Sequence, residues 1–456
     1  MHALSVSPPV SGPKATANGA KARTNGEPAR GMMPAEAPKP GTEAPVEVDG
    51  ALGDGLEYLK NPGPRFSKLK RNQTPEQDFK LALACKRFLY TAEGLLQKDK
   101  AKLQQEILDK IFAKEAVVLY EEICAELGWE PDAGRLEAMR AASTAALAAL
   151  EEKIKDAQEN LGDVEVRDAL AAKAEHLCRI GDRAAAREAF AVAEAKTAGV
   201  GQKMDLAFSL LRLDMAAGDW QAVKLGLKHA EELCAGGGDW ERKNRLRVYE
   251  AVLLLATRDL ARAASLLLDS IATFTSTELF SYEDCIFYTV VTSVATLPRT
   301  ELKARVVDAP EILTVIDAIP HLAPFLTALY ACDYKTLFQA FAALMYRLRA
   351  DRLLAPHFRY YVREVRVVAY TQFLEAYKSV TLESMAAAFG VSPAFMDAEL
   401  AEFIVAGRVS AKIDKVAGVI ETNRPDAKNA QYQATLKQGD LLLNRLQKLS
   451  RAIDVE

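Results

Sequence analysis

The chain has 456 residues, with 58 Lys+Arg set against 62 Asp+Glu, a net charge of -4 and half of its residues hydrophobic but only 7% aromatic. That length exceeds one small core, and the balanced charge excludes a protein that holds nucleic acid by its global field. No apolar run reaches the roughly 20 residues that span a bilayer, and the six cysteines stand far apart without metal-ligand spacing, so a soluble intracellular protein with reduced thiols is expected.

Residues 1–50 hold eight of the nineteen prolines and no Phe, Tyr or Trp. A segment of this kind cannot offset its ordering entropy by burial, so a disordered Pro/Ala-rich tail is expected, and its five acidic residues count against a transit peptide. Residues 51–130 read as an interrupted helical region. Lys60-Asn61-Pro62-Gly63-Pro64 is a turn cluster, while Leu81, Cys85, Phe88 and Leu89 recur at helical spacing, as do Ile107, Ile111 and Phe112. After Gly128-Trp129-Glu130-Pro131-Asp132, one long Ala- and Leu-rich helix is predicted from Arg135 to Asn160.

Residues 131–350 then repeat. "AEHLCRIGDRAAAREAF" pairs two helices across Gly181-Asp182, and similar units turn at Gly218-Asp219, Arg258-Asp259 and Cys332-Asp333. The aspartates are separated by 37, 40 and 74 residues (two periods in the last case), and a skipped turn is expected near Leu297-Pro298-Arg299. Small residues (Ala174, Ala189, Ala230, Ala256, Ala264) mark the helix crossings. A period in the high thirties with two helices per unit predicts a TPR-like α-solenoid.

Beyond residue 351 the period changes. A helix over 362–377, a short one from Thr381 to Gly390, and a third capped by Ser392-Pro393 and closed by Gly407 form a helix-turn-helix. Alternation at Val409, Ala411 and Ile413, a turn, and Val419-Ile420 add a β-hairpin. The predicted fold class is therefore mostly α: a solenoid, a winged helix over 351–425, and a C-terminal assembly helix over 426–456. Leu442, Leu446, Leu449 and Ile453 give that last helix a coiled-coil-like seam.

No catalytic, cofactor-binding or metal-ligating set emerges. The five histidines are far apart, no phosphate-binding glycine loop occurs, and Cys178 lies two residues from His176, which points the two side chains apart on a helix. Gly199–Lys203 lacks the required spacing, and Gly236-Gly237-Gly238 reads as a loop. The winged helix does not read as a DNA binder. Its second turn helix carries Asp397, Glu399 and Glu402 without any Lys or Arg, while Arg359, Arg363 and Arg366 lie earlier and pair more naturally with Glu364 and its neighbours. Protein binding remains, through a hairpin edge (Val409, Ala411, Ile413, Val419) and the seam (Leu442, Leu446, Leu449, Ile453). The alternative for the seam is docking onto the chain's own solenoid.

The segments "GGGDWERKNRLRVYEAVLLLATRDLARAASLLLDSIATFTSTEL", "LLAPHFRYYVREVRVVAYTQFLEAYKSVTLESMAAAFGVSP" and "KIDKVAGVIETNRPDAKNAQYQATLKQGDLLLNRLQKLS" resemble the PCI family, and within it the non-ATPase subunits of the proteasome lid. The resemblance runs from about residue 128 to 453 and implies a non-catalytic scaffold in the cytoplasm and nucleus, without cofactors. It implies as partners other PCI subunits of the lid, the lid deubiquitinase subunit and the regulatory-particle ATPase ring, with no nucleic acid and no membrane. A signalosome PCI subunit is the alternative it leaves, and the nucleic-acid binder is a third.

Overall fold

The computed structural model describes residues 77–92, 97–160, 162–423 and 427–453, all within one unit, Asp49–Glu456. The expected tail and the 60–64 turn cluster lie outside the described residues. Three helices come first: α1 (Phe79–Thr91), α2 (Gln97–Lys114) and α3 (Val117–Leu127). They pack around Ile107, Ile111, Tyr120 and Ile123. The long helix is present as α4 (Ala133–Asn160).

Antiparallel pairs follow: α5 (Asp163–Ile180) with α6 (Arg183–Lys196), α7 (Val200–Ala217) with α8 (Trp220–Ala235), and α9 (Trp240–Ala256) with α10 (Leu260–Ser270). The physical basis of the repeat lies in its turns. Asp182, Asp219 and Asp259 each cap a helix by accepting the backbone N–H three residues on. The residue before each aspartate sits in the left-handed region, at φ 100° for Gly181, 80° for Gly218 and 69° for Arg258. One left-handed residue and one cap thus reverse the chain with no spare residues. Ala174, Ala230 and Ala264 are fully buried at the helix crossings.

The unit passed over in the periodicity departs from the others. Its first helix, α11 (Tyr282–Thr296), is followed by the expected turn, with Pro298 capping the next segment. A second long helix does not form there. Short helical pieces at Arg299–Leu302, Lys303–Val307, Pro310–Leu313 and Ile316–Ala318 take its place. Helix α11 is buried over ten consecutive residues from Cys285 to Val294. It tolerates hydroxyls there because Thr289 and Thr292 donate back to the carbonyls of Cys285 and Tyr288, both at 2.7 Å. The last pair is α12 (Leu322–Ala331) and α13 (Tyr334–Ala350), with Cys332 at φ 64° and Asp333 as cap.

The winged helix comprises α14 (Phe358–Glu375), β1 (Ser379–Thr381), α15 (Leu382–Phe389), α16 (Pro393–Val405), β2 (Ala411–Asp414) and β3 (Val419–Thr422). The caps read from sequence are all present: Thr381 and Ser392 accept N–H groups, and Gly390 takes φ 68°. The sheet has a third strand, β1, and its order β1-β3-β2 is antiparallel throughout, pairing Thr381 with Val419 and Ile413 with Ile420. Rings of Tyr334, Phe338, Tyr370, Phe373 and Phe389 interlock across α13, α14 and α15. One hydrophobic core therefore runs unbroken from α7 to β3. The chain ends in α17 (Ala427–Ile453).

Candidate interaction surfaces

The winged helix is held by buried charge. Glu399, on α16, faces inward and accepts from Arg366 and from the Tyr370 hydroxyl, both on α14. Glu364 pairs with Arg408 just past α16, and Asp397 with Lys415 at 3.1 Å. The carboxylate pairing expected for this region exists, with a different allocation: Arg366 goes to Glu399 and not to Glu364. Arg359 and Arg363 remain exposed, and Arg363 lies 5.7 Å from the Tyr360 ring. On α16, Glu402 is exposed and Phe395 is partly so, whereas Met396, Leu400 and Phe403 are buried. The outer side of this helix carries one exposed carboxylate, Glu402, and no Lys or Arg that could meet a phosphate.

The hairpin residues separate into three situations. Val409 and Ala411 are only 5% and 4% exposed, so their side chains belong to the core and are not surface contacts. Strand alternation turns Ala411 inward and leaves Lys412 exposed. Val419 lies on the central strand, whose two sides are taken by β1 and β2, so it offers no open edge. Ile413 sits half-buried on β2, an outer strand of the sheet. Any strand addition on this side would go to β2.

The seam is exposed. Leu442, Leu446, Leu449 and Ile453 are 52–64% accessible, and the described side chains of α17 are solvated along the whole helix. Docking onto the chain's own solenoid is not seen. Tyr432, Leu436 and Leu443, which the seam reading did not include, are exposed beside it. At 100° per residue these seven side chains cover an arc of about 140°. A strict four-three spacing finds only one side of that face; scanning the whole helix for apolar residues would have found the rest.

The catalytic candidates dissolve into structure. The His176 Nδ1 accepts from Arg179 at 2.7 Å, while the Cys178 thiol meets the Lys80 amine at 2.9 Å, so the two do not address each other. Burial lowers the His176 imidazole and raises the Cys178 thiol from their ordinary values. Gly199 caps α7, and Gly238 packs against Cys234 and Met204. Among the described residues no group of three His, Cys, Asp or Glu lies close enough to hold a metal ion, and no helix is long and apolar enough to cross a membrane.

With this architecture in place, the comparisons with known proteins decide its kinship. The family pattern described as "26S proteasome subunit RPN7" matches residues 132–305, and that of the PCI domain matches residues 344–424. Residues 431–453 match the pattern of the RPN7/PSMD6 C-terminal helix. The 26S proteasome non-ATPase regulatory subunit 6 homolog of Arabidopsis thaliana is 55% identical over 82% of this chain and 97% of its own length. The chain belongs to this family of proteasome regulatory subunits. The rice member is 52% identical over 82% of the chain and 96% of its own length. The Saccharomyces cerevisiae member, regulatory subunit RPN7, is 41% identical over 67% of the chain and 72% of its own. The family's C-terminal pattern falls on α17, the helix with the open apolar face.

Proposed function

We propose that the chain is a non-catalytic scaffold of the lid of the 26S proteasome regulatory particle, supporting lid assembly and ubiquitin-dependent protein degradation. The observation that carries this reading is α17, an assembly-type helix whose leucines stand in water and whose sequence matches the family's own C-terminal pattern. An apolar face of this size is costly unless a partner covers it. Its arc exceeds a two-helix seam and suits a site between two or more partner helices. The partners are other PCI subunits of the lid, with the lid deubiquitinase subunit and the ATPase ring as further neighbours, in the cytoplasm and nucleus. The outer strand β2, with Ile413, is a second surface, on a module whose α14 and α16 are held together by the Arg366–Glu399–Tyr370 contacts.

The test is affinity purification of the tagged chain from its native extract, with mass spectrometry of what co-migrates at particle size. Lid subunits and ATPases in near-equal amounts are expected. Cullins with signalosome subunits, or a chain that runs alone, would overturn the reading.

A further inference from the structure

Lys80 is the one lysine counted as buried among the described residues, 7% exposed on α1. Its amine donates to the Cys178 sulfur at 2.9 Å, while its distance to the Asp78 carboxylate is 3.5 Å. Asp78 is already engaged, capping α1 through the Lys80 N–H at 3.0 Å and holding Arg212 at 3.0 Å. Cys178, 3% exposed on α5, is therefore the nearer polar partner of the amine, across 98 residues of chain. Of the cysteines in the described residues, this is the one bonded to a lysine amine; Cys332, for comparison, accepts from the Gln372 amide. Lys80 also forms part of the wall of a cavity of about 30 Å³, together with Leu83, Ala84, Leu119, Gly181 and Leu213. That volume is about that of one water, and it opens on the lysine side of the pair, since Cys178 is not part of its wall.

We propose that Lys80 and Cys178 form a peroxide-sensitive covalent site, at which hydrogen peroxide joins α1 to α5 through a sulfur–nitrogen bond. In the first step the thiolate attacks one peroxide oxygen, forming an S–O bond as the O–O bond breaks. The departing hydroxide takes a proton from the Lys80 ammonium and leaves as water. Sulfur has been oxidised by two electrons, and the amine is now neutral. In the second step the amine nitrogen attacks the sulfenic sulfur, the S–O bond breaks, and a second water carries away the oxygen and the amine proton. Sulfenic acids condense with nitrogen in this manner when one is held nearby. Burial holds the Cys178 thiol above its ordinary range, and the neighbouring Lys80 amine offsets part of that, giving the minor thiolate that begins the sequence its partner. The product ties the start of the described chain to the first solenoid pair, and thiol reductants reverse it.

The test treats the full chain with hydrogen peroxide and maps its tryptic peptides. The expected result is a joined pair carrying Lys80 and Cys178, lighter than their sum by two hydrogens, absent before treatment and lost with dithiothreitol. Lys80→Met is expected to abolish the pair and leave Cys178 as a sulfenic or higher acid. Should that variant fail to fold, the wild-type map alone decides. Oxidation of Cys178 to its acids without linkage in the wild type, or an untouched Cys178 while other thiols oxidise, would overturn the proposal.

Discussion

Gly181 shows how much of the solenoid depends on single backbone positions. It sits at φ 100°, and a Cβ there would lie 2.4 Å from Leu119 Cγ. Gly181→Ala should therefore cost about 2 kcal/mol or more, from left-handed strain plus overpacking. A chemical unfolding curve reads this directly. Arg258 occupies the equivalent turn position at φ 69° without being glycine, and it lies 4.9 Å from the Tyr360 ring. Arg258→Gly should relieve about 1 kcal/mol of strain and forfeit a cation–π contact of about the same size, leaving stability nearly unchanged. Asp219→Ala loses a cap to Ala222 and should cost about 1 kcal/mol in the same assay. These turns were legible in the sequence because a cap and its left-handed neighbour are adjacent residues. The exchange of glycine for Arg258 had no local signal, since its compensating ring lies a hundred residues on.

Among the elements, α16 is the one whose sequence misleads most about its role. It occupies the position of a groove-reading helix, yet its Glu399 is spent on Arg366 and Tyr370 inside the module. Glu399→Ala leaves a guanidinium and a hydroxyl without their partner and should destabilise the winged helix by about 3–5 kcal/mol. Thermal unfolding followed by near-UV circular dichroism would show it as an early loss of the aromatic signal around Tyr370 and Phe389. Helix caps, helix starts and the hairpin were readable, being set by neighbours in sequence. Strand β1 was not. It is three residues long, and its partner strand lies 40 residues away, so nothing local distinguishes it from a loop. The same strand closes off Val419, which is why the hairpin appeared to offer a wider edge than it has. That Val409 and Ala411 turn inward was not readable, because alternation gives two faces but not which one meets the core.

At the scale of the whole molecule, one core runs from α7 through α11 to the sheet, so the solenoid presents the winged helix as a rigid mount. The periodicity located its units but passed over α11, the most buried helix of all, because a helix apolar on every side carries no stripe. Beyond that mount stands α17, whose apolar arc finds no cover among the described residues. The account depends on this helix being completed by partners. The decisive measurement is incorporation of tagged Leu446→Asp into the regulatory particle, quantified against Leu441→Asp, which places the same charge on the far side of the same helix. Incorporation at least tenfold below wild type for Leu446→Asp, with Leu441→Asp near wild type, is the predicted result. Equal incorporation of both variants at the wild-type level would contradict it.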